Sequence, residues 1–181
     1  MHITLLILVL NEKASLSVTI PELLKSKNQT SFNKLVAIDG GSTDGSIEYL
    51  KENKIKVLVQ EKTKPGRGAA FLLAQKQIIT DAFIFFSPDG NEAIEDIKKF
   101  RRYLEKGADL VIASRMLKNS VNEEDKFIIR YRKWANLTFN WLANLFFNKN
   151  KVHVSDSING FRAIKKSAMQ NLELDSKDFT I

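Results

Sequence analysis

Short apolar runs alternate with helix-like segments along the first 113 residues, and this alternation constrains the fold more than any other feature. The runs cover residues 3–10, 35–38, 55–59, 83–86 and 109–113. Such runs are typical of strands that are buried on both faces of a parallel sheet. The predicted helices cover residues 15–26, 44–52, 66–79 and 92–105. The sequence therefore predicts an α/β fold with a mainly parallel central sheet and helices on both faces.

The pattern changes after residue 115. Residues 126–147 form one long predicted helix, in which Trp134, Trp141 and other apolar residues recur at three- and four-residue steps. This stripe indicates either a face packed on the core or, with the basic residues near its start, an interfacial helix on anionic lipid. A loop around Asp156 and a helix near residues 165–172 come after it. We expect one domain over residues 1–181, with halves at 1–115 and 116–181.

The composition excludes several classes of protein. The chain has no cysteine, which excludes disulfide scaffolds and cysteine-ligated metal sites. No run approaches the roughly 20 apolar residues of a membrane-spanning helix. The apolar start lacks the basic leader and the cleavage site of a signal peptide. These features do not fix the compartment, and a cytoplasmic protein fits them.

The formal net charge of +7 indicates an anionic partner such as a nucleotide, a lipid phosphate or a nucleic acid, unless it reflects solvated lysines alone. The sequence has no recognised nucleic-acid-binding module and no aromatic platform interleaved with its basic residues. We therefore expect no nucleic-acid partner.

Polar residues come directly after four of the five predicted strands. They lie at 11–12, 39–45, 87–91 and 114–115. Because ligands of open parallel sheets bind beyond the carboxyl ends of the strands, we expect these segments to meet at one rim. Each segment alone is also what a turn requires, so it is their recurrence that indicates a site.

Two stretches of the sequence suit a nucleotide. Asp39 can accept hydrogen bonds from a base or a ribose, and the glycines after it let a ligand approach the backbone closely. Gly66, Arg67 and Gly68 open a predicted helix, where backbone N–H groups and a cation can bind a phosphate.

Asp89 comes after a very apolar strand, where a carboxylate must be solvated, paired or bound to a metal. Asn91 can face the same way and present a second oxygen. The pair predicts a site for Mg²⁺ or Mn²⁺, whose other ligands are waters and substrate phosphates. Such an ion neutralises a departing diphosphate.

In order and spacing, these motifs resemble the family 2 inverting glycosyltransferases, and most of all their dolichol-phosphate mannose synthase branch. The motifs are Asn11-Glu12, Asp39 to Ser46, Lys64 to Ala70, Ser87 to Asn91, Ser114-Arg115 and Asn159 to Ala163. The resemblance covers nearly the whole chain. It implies the Rossmann-like GT-A fold and metal-dependent transfer of a sugar, with inversion, from a nucleotide diphosphate sugar.

The resemblance also implies roles for individual residues. Asp89 and Asn91 would hold the divalent metal, Mg²⁺ or Mn²⁺. The acceptor phosphate would meet Arg132 and Arg162. The residues implied in catalysis are Asp89, Arg115, Asp156 and Arg162. The donor, GDP-mannose or a UDP-hexose, would be bound by Leu10, Asn11, Glu12, Asp39, Gly41, Gly66, Arg67, Gly68 and Asp89, with Glu12 and Asp39 on the nucleoside.

The sequence departs from the family pattern at three places. Leu8 and Leu10 replace the usual Pro and Tyr, and Gly40 replaces a second aspartate. Ser87 stands where the family has the first aspartate of its Asp-x-Asp motif. Because chains of the family continue past this point, we expect the 181 residues to be part of a longer protein.

Two acceptor classes are compatible with the residues. A hydroxyl acceptor on a glycan or protein needs a carboxylate base, for which Asp156 is the clear candidate. A phosphate acceptor is already anionic and needs cations instead, which the sequence offers in Arg115, Arg130, Arg132, Lys133 and Arg162. We therefore expect a polyprenyl phosphate, dolichyl or undecaprenyl, and a protein peripheral to the cytoplasmic face of a membrane. A non-catalytic nucleotide-binding or membrane-associated protein is the alternative of another class, because Ser87 replaces an acid.

Overall fold

The computed structural model describes residues 1–28, 31–61, 66–117, 131–147 and 152–172, with the backbone alone at residues 27, 28, 131–133 and 147. The strands within these ranges are β1 (Ile3–Val9), β2 (Lys34–Asp39), β3 (Lys56–Val59), β4 (Ala82–Phe86), β5 (Leu110–Ile112) and β6 (Arg162–Lys165). The helices are α1 (Lys13–Asn28), α2 (Ser46–Glu52), α3 (Arg67–Gln77), α4 (Asp96–Glu105), α5 (Tyr131–Phe147) and α6 (Lys166–Gln170).

The strands form one sheet in the order β3-β2-β1-β4-β6-β5. β1 pairs in parallel with β2 and β4, and β2 pairs in parallel with β3, whereas β6 is antiparallel to β4. The predicted α/β fold with a mainly parallel sheet is confirmed. The sequence did not predict β6, because a four-residue segment with two buried side chains is too short to show a period of two.

Aromatic side chains show that helices cover both faces of the sheet. All five residues of β4 are buried, and successive residues of a strand point to opposite faces. Phe85 contacts Phe71 of α3, with ring centroids 4.0 Å apart. Its neighbour Phe86 meets Phe161 edge-on at 5.6 Å, and Phe161 in turn meets Phe100 of α4 at 4.7 Å. The two faces of β4 are therefore closed by different helices.

The chain divides into two compact units. One consists of Met1–Val111 and the chain from Phe161 onward, and it holds nearly all of the sheet; the other, Ile112–Gly160, holds α5. The expectation of one domain with a division near residue 115 stays a prediction. Within the described ranges, no helix combines the length and the apolar character needed to cross a membrane.

Two helices begin later than the sequence predicts. α4 begins at Asp96 rather than at residue 92, because residues 87–91 form a turn in which Gly90 has a φ of 83°. α2 begins at Ser46 after Gly45, whose φ of 88° favours glycine. Gly45, and not the preceding Ser42 or Thr43, is therefore the N-cap residue of α2.

The loop after β2 instead holds the start of α1. The first N–H groups of a helix have no partner within the helix. Here the amides of residues 11, 12 and 13 donate to side chains of this loop and of the first residue of α2, namely Ser42 Oγ at 2.9 Å, Ser46 Oγ at 3.0 Å and Asp44 Oδ2 at 2.9 Å. The two loops therefore fix each other at the carboxyl edge of the sheet.

This arrangement predicts an acid-dependent loss of stability through Asp44. Hydrogen bonds from the Ser46 hydroxyl and the Lys13 amide hold the pKa of Asp44 below its usual value of 3.8. A carboxyl group with a lowered folded-state pKa stabilises the fold above its unfolded-state pKa, and this contribution is lost as the pH falls through the folded-state pKa. We expect Asp44→Asn to lower the melting temperature at pH 6, and the difference from the parent to shrink towards pH 3.

Glu52→Gln is the matched control, because Glu52 is an exposed carboxyl group at the other end of α2. Its melting temperature should stay close to that of the parent across the same pH range. A difference between parent and Asp44→Asn that is constant from pH 6 to pH 3 would contradict the role given to the Asp44 charge.

Candidate functional site

A cavity of about 210 Å³ lies at the carboxyl ends of β1 to β4. Its walls combine aliphatic side chains with two carboxylates and a guanidinium group, those of Glu12, Asp89 and Arg67. The lining residues are Leu8, Val9, Leu10, Glu12, Ile38, Gly40, Gln60, Gly66, Arg67, Ala70, Ser87, Pro88 and Asp89. An apolar pocket with a few placed polar groups at this edge of a parallel sheet is typical of a ligand site.

Five of the predicted donor-binding residues line this cavity: Leu10, Glu12, Gly66, Arg67 and Asp89. The other four, Asn11, Asp39, Gly41 and Gly68, are not among its lining residues. Asn11 has a φ of 56°, and its side-chain oxygen accepts a hydrogen bond from the amide of Thr43 at 2.8 Å. Asn11 therefore takes part in holding the two loops together.

Asp39 is fully buried at the end of β2. Its carboxylate accepts hydrogen bonds from the amides of Gly41 at 2.7 Å and Ser42 at 2.9 Å, and from the Ser42 hydroxyl. A carboxylate can accept about four hydrogen bonds, so most of this capacity serves the loop itself. The expected contact between Asp39 and the donor nucleoside stays a prediction.

The start of α3 is braced by Gln60, a residue that was not predicted from the sequence. The Gln60 side-chain oxygen accepts a hydrogen bond from the Gly66 amide at 2.8 Å, and the Gln60 amide donates to the Asp39 carbonyl at 2.9 Å. The Gly66 N–H is therefore already engaged. Arg67 is the cation that this helix start contributes to the cavity. The signal for Gln60 was its position directly after the third strand, at the same rim as the other polar segments.

The loop after β4 places two oxygen-bearing side chains on the cavity, whereas the predicted metal ligand Asn91 is not among the lining residues. Ser87 and Asp89 line the cavity, and Asp89 Oδ1 accepts a hydrogen bond from the amide of Asn91 at 3.1 Å. Among the described residues no group of three or more His, Cys, Asp or Glu side chains is arranged to hold a metal ion. Carboxylate, amide and hydroxyl oxygens nevertheless fit Mg²⁺, which is usually bound through one or two carboxylates and substrate phosphates.

Glu92 belongs to the same loop and was also missed. Its Oε2 accepts a hydrogen bond from the Ser87 amide at 2.8 Å. Burial raises the pKa of the Glu92 carboxyl group to about 8 against the opposing effect of this hydrogen bond; the Asp89 charge also raises it and Arg67 lowers it. The sequence signal for this contact was the Pro-Asp-Gly turn, which brings the chain back towards Ser87. The contact was missed because the predicted helix began at residue 92 and would have directed the Glu92 side chain away from Ser87.

In the second unit, Asp156 and Arg115 form a two-pronged ion pair. Asp156 is buried, and its Oδ2 accepts hydrogen bonds from the Arg115 amide at 3.1 Å and Nε at 2.9 Å, while Oδ1 accepts one from Nη2 at 3.2 Å. The sequence named both residues as catalytic but did not predict the pairing geometry. Both carboxylate oxygens of Asp156 are engaged by Arg115.

α5 holds the segment that carries Asp156. Asn140, which is buried, accepts hydrogen bonds from the amide of Ser157 at 2.8 Å and from its hydroxyl at 2.7 Å. One turn further on, Asn144 donates to the Val154 carbonyl at 2.7 Å and accepts from the Val154 amide at 2.9 Å. Two asparagines of one helix face therefore fix the backbone on both sides of Asp156.

Most of the large apolar side chains of α5 are exposed, in contrast to the buried side chain of Asn140. Trp134 is 71% exposed and Trp141 63%, and Leu137 and Leu145, at helical spacing from them, are also exposed. The expectation that the stripe packs on a core does not describe these side chains.

Two predicted phosphate ligands remain. Arg162 lies in β6, in register with Phe85, and is half-buried. The side chain of Arg132 lies outside the described residues. The assignments of Arg115, Arg132, Asp156 and Arg162 to catalysis or acceptor binding stay predictions.

Comparison with proteins of known sequence identifies related enzymes. The chain is 27% identical over 151 residues to dolichol-phosphate mannosyltransferase of Pyrococcus furiosus, a match that covers 82% of this chain and 42% of that protein. It is 25% identical over 153 residues to polyprenol monophosphomannose synthase of Mycolicibacterium smegmatis, covering 80% of this chain and 55% of that one. The chain thus spans about half the length of the curated relatives it matches.

Comparison with solved structures supports the fold. Glucosyl-3-phosphoglycerate synthase of Mycobacterium tuberculosis, in complex with Mn²⁺ and UDP-glucose, superposes with a TM-score of 0.68 at 20% identity. The match covers 94% of this chain and 58% of that one. The predicted GT-A fold is confirmed. The model of glycosyl transferase family 2 matches residues 4–172, and the chain therefore belongs to that family.

Proposed function

We propose that this chain binds a nucleotide diphosphate sugar in the cavity beyond β1 to β4 and transfers the sugar, with inversion, to a polyprenyl phosphate. The observation that carries the proposal is the composition of the cavity in a family 2 chain. Aliphatic side chains suit a base and a sugar face, whereas Arg67 supplies positive charge for a diphosphate.

The loop after β4 would hold the metal ion. Asp89 and Asn91 provide its oxygen ligands, and the ion, Mg²⁺ or Mn²⁺, would offset negative charge on the departing nucleoside diphosphate. Arg67 and Asp89 line the same cavity. The cavity therefore offers a positive side chain for the diphosphate and a negative one for its cation. The chain's own contribution is to orient the donor and to stabilise the leaving group electrostatically.

The state of Asp156 favours a phosphate acceptor over a hydroxyl acceptor. A hydroxyl group must lose a proton as it attacks, and a general base must be within hydrogen-bond reach of that proton. Asp156 is buried, with both oxygens engaged by Arg115. A phosphate acceptor attacks through an oxygen that is already anionic, so Asp156 can serve to position Arg115. The names of the relatives, which act on dolichol phosphate and form polyprenol monophosphomannose, support the same acceptor class.

α5 would bring the chain to the lipid acceptor. Exposed tryptophans at helical spacing beside a basic segment suit the boundary between lipid headgroups and acyl chains. We propose that the protein is peripheral to the cytoplasmic face of a membrane, with Trp134 and Trp141 in contact with anionic lipid.

The acceptor chemistry is tested with one short-chain prenol supplied as the alcohol and as the phosphate. We expect the phosphate to accept the sugar and the alcohol to be inert, because the alcohol lacks the nucleophilic charge. Asp156→Asn should keep much of the activity, whereas loss of a general base costs on the order of a hundredfold or more. Product formation is measured with GDP-mannose and UDP-hexoses as donors.

Asp109→Asn serves as the control variant, since Asp109 is an exposed surface carboxylate paired with Lys165. Melting temperatures of all variants separate loss of chemistry from loss of fold. Comparable turnover of the alcohol and the phosphate, or a hundredfold loss in Asp156→Asn with the fold intact, would favour a hydroxyl acceptor. Absence of turnover with every donor would favour the non-catalytic alternative.

The membrane proposal predicts binding to anionic vesicles. Replacing Trp134 and Trp141 together by Ala should weaken sedimentation with phosphatidylglycerol vesicles, because both exposed rings lose their contact with lipid. Tyr103→Ala is the matched control, as Tyr103 is a half-exposed aromatic residue of α4. If the parent ignores such vesicles at low salt, or if all three proteins bind equally, α5 is not the lipid contact.

A further inference from the structure

In the loop after β4 this sequence lacks one carboxylate of the family pattern, and the structure brings a different carboxylate, that of Glu92, to the same place. Ser87 occupies the position of the first acid of the Asp-x-Asp motif. The turn over residues 87–91, with Gly90 at a φ of 83°, brings the chain back on itself. As a result, Oε2 of Glu92 lies 2.8 Å from the amide nitrogen of Ser87. The Glu92 carboxylate therefore reaches the backbone from which the missing aspartate side chain would extend.

Neighbours of Glu92 line the candidate donor site, although Glu92 itself is not among the lining residues. Ser87 and Asp89 line the cavity, as does Arg67. Asp89 and Arg67 both interact electrostatically with Glu92. Among the described residues, the Ser87 amide is the sole hydrogen-bond donor to Glu92, through Oε2. The other carboxylate oxygen keeps its capacity to bind a further positive group.

We propose that Glu92 replaces the carboxylate lost at Ser87 and is a ligand of the divalent cation bound by Asp89 and Asn91. This inference rests on the proposed function, because it concerns the metal of the same donor site. With Glu92 the loop offers two carboxylates and an amide oxygen, and without it a single carboxylate. Mg²⁺ is usually bound through one or two protein carboxylates together with substrate phosphates.

The test is direct measurement of Mn²⁺ binding to the 181-residue chain by titration calorimetry, alone and with UDP or GDP. Glu92→Gln keeps a side-chain oxygen for the Ser87 amide but cannot ionise, so it offers the metal no carboxylate. We expect it to lower Mn²⁺ affinity about tenfold or more, since changes at or around metal ligands typically cost roughly 10- to 100-fold. Glu95→Gln is the matched control, because Glu95 is exposed and makes no capping hydrogen bond at the start of α4; its affinity should equal that of the parent.

A second variant separates ligation from a structural role. Adding Ser87→Asp to Glu92→Gln restores a carboxylate to the loop, so Mn²⁺ affinity should return to within about threefold of the parent. Melting temperatures without metal, measured for each variant, establish that the fold is kept. A loss that Ser87→Asp does not restore would make Glu92 a structural residue and overturn the inference.

The outcomes also distinguish this inference from the proposed function. If the parent binds Mn²⁺ and Glu92→Gln binds it equally well, the inference fails while the metal site at Asp89 stands. If the parent binds no Mn²⁺ even with UDP or GDP, the metal site of the proposed function fails, and the role of Glu92 fails with it. Loss of binding in Glu92→Gln, together with its recovery in the double variant, supports both.

Discussion

The buried carboxylate of Asp39 is the interaction on which the edge of the sheet depends. Burying a charged group is costly unless hydrogen bonds compensate for the lost water. Here the loop after β2 folds around the charge and supplies two amides and a hydroxyl group. The same loop then presents Ser42, Asp44 and Ser46 to the amides at the start of α1. One satisfied charge thus fixes two loops, and with them the wall of the cavity that contains Leu10 and Glu12.

Most of the fold could be predicted because burial leaves a strong signal in the sequence. A strand that is covered on both faces, such as β4 with its five buried residues, must be apolar throughout, and this is readable without a structure. β6 escaped because it is four residues long and antiparallel. The start of α4 was predicted wrongly because an acidic segment is compatible with both a helix and a turn. The positive φ of Gly90 belongs to a turn.

The candidate site was predictable in position but not in detail. Topology alone places Glu12 and Asp89 at one edge, since the carboxyl ends of parallel strands meet there. Which side chain serves the ligand and which serves the loop depends on distances of a few ångströms, and no spacing rule contains these. Asp39 accepts bonds from its own loop, Gln60 holds the Gly66 amide, and Glu92 returns to Ser87. These contacts join residues 2, 6 and 5 positions apart, and the sequence has no pattern that predicts them.

The carboxylates of the described residues differ in burial, and therefore in their capacity to bind a ligand. Asp39 and Asp156 are almost wholly inaccessible, and each is satisfied by donors of the protein itself. A charge so compensated has little capacity left for a substrate, because any new partner must displace an existing one. Asp89 and Glu92 differ, since each accepts one hydrogen bond, from a neighbouring amide, among the described residues. Asp89 and Glu12 line the cavity together with Arg67, so the carboxylates with capacity left for a ligand lie beside its positive charge.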